Sequence, residues 1–334
     1  MKKPTIELSQ RTLRRFCIVL ALVLLIVGTA ATSKAQDTIV YNNIPSAFPL
    51  SFPLNIFGLN PTTIPLNVFS QGAEAYGFTA LGDGFTLAGR TGGTLNTVTV
   101  VLSSWACQSG SFQYGSGPTA CVTTPGATYS MPVTVNVYSV NSSGTSLEGV
   151  SPSPAPGTLL ATVTQSFNMT YRPSSNFVDC PATASVSGGY YEWYNAQTQT
   201  CQDGIDFAIT FDLASKNVKL PTSEIIVTFS YNTSDYGAAP YGDSTPCHAT
   251  TEGCFYDSLN ISGGAGSAAY PGAVLAPSVG SVLNVNGIFT EFPSADKALC
   301  GTGTAAKNTL ELDASPGCYS GNHPMIQVTT KSSF

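Results

Sequence analysis

The stretch Ile205–Leu213, IDFAITFDL, alternates apolar and polar residues along its whole length. Phe207, Ile209, Phe211 and Leu213 share one parity, and Asp206, Ala208, Thr210 and Asp212 share the other. Side chains of a β-strand point to opposite faces with period two, so this pattern describes a strand with one face on a core and the other toward water. The same alternation recurs, between Gly, Pro, Asn and Ser punctuation, at Thr38–Asn42, Glu74–Thr79, Phe85–Ala88, Leu95–Ser103, Val133–Val140 and Leu159–Asn168. It continues at Glu224–Tyr231, Ser258–Ile261, Ser281–Val285, Thr309–Asp313 and Met325–Thr330. No segment shows the 3.6-residue period of an amphipathic helix of any length. Many short strands separated by turns predict an all-β fold, a large antiparallel β-sandwich of jelly-roll type.

The ends and the composition place that fold. Residues 1–35 carry a basic start (MKKPTIELSQRTLRR), a short apolar run (Phe16–Gly28) and small residues at Ser33 and Ala35. This is the pattern of a secretory signal peptide, because the run is shorter than the roughly 20 residues a membrane-spanning helix needs. Residues 36–334 are then expected to form a single secreted domain with no membrane span. Within it, the repeated PLNIF (Pro53–Phe57) and PLNVF (Pro65–Phe69) mark residues 45–72 as a Pro-rich surface insertion. SPSPAP, Ser151–Pro156, reads as an extended loop between two strands. Six of the 13 Lys and Arg residues lie in the first 35 residues, which leaves seven cations against 18 acids. So few scattered cations cannot form the basic stripe that nucleic acid requires. Charged residues are 10% of the chain, against about 25% in an average protein. The polar surface is therefore mostly uncharged hydroxyl and amide.

Eight of the nine cysteines lie beyond the leader. An even count in an exported chain reads as disulfides, and eight cysteines allow on the order of 100 pairings. Pairing sequence neighbours gives four short loops: Cys107–Cys121, Cys180–Cys201, Cys247–Cys254 and Cys300–Cys318. Trp105, just before Cys107, is expected to pack on its own disulfide.

The segments TIVYNNIPS, EAYGFTALGDGFTLAG, VTVVLSSWACQSG, ACVTTPGATYSMPVTVNVY, FNMTYRPS and ITFDL resemble a group of exported bacterial β-sandwich proteins of acidobacterial and actinobacterial type. The resemblance implies export and a β-fold, and it supplies no activity. Some members of that group carry C-terminal sorting or wall-anchor tails, whereas this chain ends MIQVTTKSSF.

Catalysis needs convergent groups. No G-x-S-x-G elbow or H-E-x-x-H motif occurs. His248 and His323 are the only histidines, and both are expected to be solvated loop residues. Asp206 and Asp212 would stand about 20 Å apart along a strand. Glycosidase carboxylates stand roughly 5–9.5 Å apart, so that pair fails. Glu311 and Asp313 pass on distance, at about 7 Å, but the expectation is a solvated outer strand face. Asp203 and Asp206, with the acids of the loop 235–257, are candidate oxygen ligands for a structural calcium, and no other cofactor is expected. Tyr190, Tyr191, Trp193 and Tyr194, inside the Cys180–Cys201 loop, are the candidate ligand platform, since aromatic faces with polar tips hold sugars and protein partners. The expected function is therefore non-catalytic: binding or structure at the cell surface, with an extracellular glycan or surface protein as partner. The alternative is a polysaccharide hydrolase whose carboxylates meet only on folding.

Overall fold

The computed structural model describes residues 37–44, 69–72, 78–89, 93–109, 121–180, 193–195, 200–202, 204–220, 223–231, 259–264, 277–293, 303–314 and 323–331. The strands run in chain order as β1 (Asp37–Asn42), β2 (Phe69–Gly72), β3 (Ala80–Thr86), β4 (Thr94–Ser104), β5 (Thr128–Gly144), β6 (Ser153–Thr170), β7 (Trp193–Asn195) and β8 (Thr200–Gln202). They continue as β9 (Ile205–Asp212), β10 (Glu224–Ser230), β11 (Leu259–Gly264), β12 (Ser281–Val282), β13 (Gly287–Glu291), β14 (Glu311–Ala314), β15 (His323–Pro324) and β16 (Ile326–Lys331). Among the described residues the only helical element is a single 3-10 turn, Ala214–Lys216. None of these residues forms a helix long and apolar enough to cross a membrane.

Two seven-stranded sheets pack face to face, and the pairings between their strands are antiparallel. The first sheet is organised on β4, which pairs along one edge with β9 and along the other with β16 and then β11. β1 extends it beyond β16, and β2 and β15 extend it from β11. The second runs β14-β13-β3-β10-β5-β6, with β12 also on β3. β7 and β8 form a separate two-stranded ribbon. Residues Asp37–Ser333 make one compact unit.

The core between the sheets follows the period-two pattern. Val98, Val100 and Leu102 of β4 and Phe207, Ile209 and Phe211 of β9 meet Val133, Val135 and Val137 of β5 and Ile225, Val227 and Phe229 of β10. The Phe211 ring meets Phe167 edge-on at 4.9 Å and Phe229 at 6.0 Å between centroids. Leu213, the last residue of the deciding stretch, joins the same core.

The opposite face of that stretch departs from expectation. Thr210 and Asp212 are exposed, but Asp206 and Ala208 are buried. Ala208 packs with Ile44, Val101 and Met325 on the outside of the first sheet, so the chain covers that half of the sheet itself. On the outer face of the second sheet, Ile226 of β10, Phe289 of β13 and Leu312 of β14 pack together. Asp313, opposite Ile288 of the inner core and on the other side of β14 from Leu312, is fully buried instead of lying on a solvated face, and Glu311 accepts the Ala306 N–H at 2.8 Å.

Two boundary expectations also change. Phe69–Gly72, placed in the surface insertion, is a strand paired with β11, while residues 45–68 lie outside the described residues. Ser153–Pro156, expected to be a loop, begins β6 and pairs with Val140–Gly144. Prolines are tolerated there because β6 ends the described order of its sheet, where a missing N–H breaks no ladder.

Candidate functional site

The predicted site residues that the structure describes gather where β4 ends and β9 and β11 begin, beside two disulfide-linked segments. Cys107 and Cys121 are joined, with Cα atoms 5.5 Å apart. Trp105 packs on that disulfide, as its position in the sequence predicts. Ser109 and Val122 exchange backbone hydrogen bonds of 3.0 and 2.9 Å beside it. Arg172, fully buried, passes beneath: its backbone N–H donates to the Ala106 carbonyl at 3.0 Å and its Nε–H to Cys121 Sγ at 3.3 Å. The residues around this crosslink are thus tied to the end of β6.

Cys180 and Cys201 form the second crosslink, with Cα atoms 5.6 Å apart. Cys201 lies in β8 opposite Tyr194 of β7, so the disulfide ties the ribbon to the segment after β6. Cys247, Cys254, Cys300 and Cys318 lie outside the described residues, as do Tyr190, Tyr191 and Asp203. Trp193 is buried and its indole N–H donates to the Gly204 carbonyl at 3.2 Å. Its ring is committed to packing, while Tyr194 is half-buried. Gly204 has the Trp105 indole and Ser103 Oγ directly against its Cα, leaving no room for a side chain there. Glycine is required at this position by close approach, not by its dihedral angles.

Asp206 is linked to Trp105 through Ser103. Ser262 Oγ donates to its Oδ1 at 2.8 Å, and Ser103 hydrogen-bonds it from β4. Ser103 Oγ in turn accepts the Trp105 indole N–H at 3.1 Å. Burial pushes the Asp206 carboxyl up to about 7, against the opposing pull of the two serines. Desolvation penalises the charged form, and two neutral hydroxyls only partly replace water. Asp206 is thus enclosed by hydroxyls instead of standing in a solvated acidic loop. Among the described residues no three His, Cys, Asp or Glu side chains gather as a metal-binding group.

The raised value sets a pH dependence. Between about pH 4 and about pH 7 the folded state holds a proton that the unfolded chain has released, so stability falls as pH rises through this window. A shift of this size corresponds to on the order of 4 kcal/mol. Asp206→Asn, neutral and nearly isosteric, is expected to flatten that part of the profile. Urea unfolding at about pH 5 and about pH 8 checks this, and the variant should be the more stable protein at the higher pH.

A second ionisable cluster lies between the two sheets. Asp83 points into the core between Leu81 and Phe85, and His323 of β15 places Nδ1 2.8 Å from Asp83 Oδ2. His323 is buried in a strand, not solvated in a loop. Asp83 Oδ1 accepts the Gly84 N–H at 2.7 Å, and His323 Nε2 lies 3.3 Å from the Val285 carbonyl. Burial raises the Asp83 carboxyl, opposed by the imidazole. Burial would lower the His323 imidazole, but the Asp83 carboxylate and the hydrogen bonds outweigh it and the net shift is upward. The signal in the sequence is the alternation Leu81, Asp83, Phe85, which places an acid at an inward position.

Compared with protein-family models, curated proteins and solved structures, the chain matches none.

Proposed function

We propose that this is an exported, non-catalytic β-sandwich protein that binds neutral extracellular glycan, as an adhesion or matrix component. The observation that carries this reading is the outer face of β5 and β6. Thr128, Ser130 and Pro132 of β5 are exposed, Thr134 and Asn136 are half-buried, and Thr162, Thr164, Ser166 and Asn168 of β6 are exposed. Neither strand contains a charged residue. Thr134 and Thr164 are opposite each other, and their hydroxyls are 2.8 Å apart. Paired hydroxyls hold their rotamers, so part of this surface is ordered before any ligand arrives. An uncharged face of hydroxyls and amides suits a partner that is itself neutral and rich in hydroxyls.

The carboxylates support the same reading. Asp83, Asp206 and Asp313 are buried, and Glu311 and Glu148 accept backbone N–H groups of Ala306 and Ala314. Each has a place in the fold independent of any substrate.

A glycan array with the purified protein, run beside an assay for new reducing ends, tests the proposal. Binding without release is the expected result. Thr134→Arg with Thr164→Arg is expected to weaken binding by about tenfold or more, through lost hydrogen bonds and an unmatched charge. Tyr194→Ala measures the contribution of the aromatic ribbon separately. Release of reducing ends would replace this reading with that of a polysaccharide hydrolase.

A further inference from the structure

The Asp83–His323 pair bridges the two sheets beside Met325, whose N–H donates to the Ser262 carbonyl at 2.9 Å and whose carbonyl accepts the Val101 N–H at 3.0 Å within the first sheet. β15 is two residues long and meets β11 only through Gly263 and Gly264. Its second residue, Pro324, has no N–H to give a ladder. The side chain of Asn43 supplies part of what is missing. Its Nδ2–H donates to the Pro324 carbonyl at 2.8 Å and its Oδ1 accepts the Ile326 N–H at 2.6 Å. On the inner side, the His323 imidazole reaches from the first sheet to Asp83 on a central strand of the second, and to the turn at Val285 that leads into β13. Three separate parts of the chain thus converge on one ring.

The protonation of this ring is constrained by its partners. The Val285 carbonyl can only accept, so Nε2 carries a hydrogen. The remaining proton lies between Nδ1 and Asp83 Oδ2, and the pair as a whole is neutral. The described groups facing it are few. Tyr41 of β1, stacked on Phe85 at 3.9 Å between ring centroids, is close enough for Asp83 to act on its phenol, which burial first and Asp83 second push upward. Asn284, Val285 and Asn286 of the turn and Gly263 and Gly264 of β11 bring no charge.

We propose that Asp83 and His323 form a proton-operated latch, which holds the β15 end of the first sheet against the second and releases it when the shared proton is lost. Loss of that proton leaves a carboxylate beside a neutral imidazole, a net negative charge among Leu81, Phe85 and Tyr41. A buried unpaired charge is costly, so the corner opens to admit water. The direction is fixed by the upward shift of His323: the latch is closed below the ordinary histidine value of 6.5 and opens as pH rises through the higher folded-state value. This device is independent of what the outer face of β5 and β6 binds.

With only two histidines in the chain, one variant assigns their proton NMR signals. His323 is expected to titrate above 6.5, and the amides of Gly84 and Phe85 to lose about tenfold or more of their exchange protection at that midpoint, after correction for base catalysis. His323→Gln, uncharged but able to hydrogen-bond, should show the weakened protection at every pH. A His323 midpoint at or below 6.5, or protection unchanged across it, overturns the latch. The wild-type titration decides this alone if the variant does not fold.

Discussion

Gly82→Ala is expected to destabilise the protein by more than about 3 kcal/mol, a large part of the stability of an ordinary domain. Gly82 lies in β3 between Thr228 of β10 and Phe289 of β13. A Cβ there would stand 2.6 Å from Thr228 Cα and closer still to the Val227 carbonyl oxygen. These are backbone atoms of a neighbouring strand in the middle of the sheet, and they cannot move without breaking the ladder. The entropy that alanine removes from the unfolded chain is worth only about 0.4–1 kcal/mol and cannot offset this. Gly84→Ala is the control. Its added methyl meets Leu283 Cδ1 at 2.7 Å and Phe289 Cε2 at 2.9 Å, side-chain atoms that can shift. Its cost is expected at roughly 1–3 kcal/mol. Urea unfolding followed by fluorescence checks the order of the two. Equal costs, or a larger cost at Gly84, would contradict the packing described for β3.

Arg172→Ala is expected to cost about 3–5 kcal/mol, comparable to removing a large aromatic side chain from a core. Arg172 is among the largest fully buried side chains of the protein, and its Nε–H is held at Cys121 Sγ. Truncation leaves a cavity beneath the Cys107–Cys121 disulfide and removes the side-chain contact to Cys121, while the backbone bonds of Arg172 to Ala106 and of Ser175 to Cys121 remain. Arg172→Met keeps most of the volume and should recover part of the loss. Thermal unfolding of the two variants separates packing from hydrogen bonding. A cost near zero for Arg172→Ala would mean that the side chain is not seated as described.

The candidate site was only partly legible in the chain. Trp105 could be placed against its disulfide because only Ala106 separates it from Cys107, and so short a tether leaves little choice. Trp193 could not be told from an exposed aromatic, because its burial depends on the carbonyl of Gly204 eleven residues away. The burial of Asp206 is not legible, because strand alternation alone cannot say whether the second face of a sheet is covered by another part of the chain. His323 precedes a proline near the end of the sequence, a local pattern that resembles a turn. Its partner, Asp83, is 240 residues earlier.

What the sequence determined by itself is whatever depends on local period and local covalent reach. The all-β class and the inward residues of β4, β5, β9 and β10 belong here, whereas Cys107–Cys121 and Cys180–Cys201 agree with a neighbour rule that the count of cysteines left open. Side chains two residues apart share a face wherever the strand lies, and a short loop limits which thiols can meet. The tertiary structure alone decided which outer faces are covered, which acids lose their water, and that Asp83 meets His323 across the core. These depend on the order of strands within and between the sheets. No short-range pattern encodes that order, because a strand of given alternation fits equally well beside many partners.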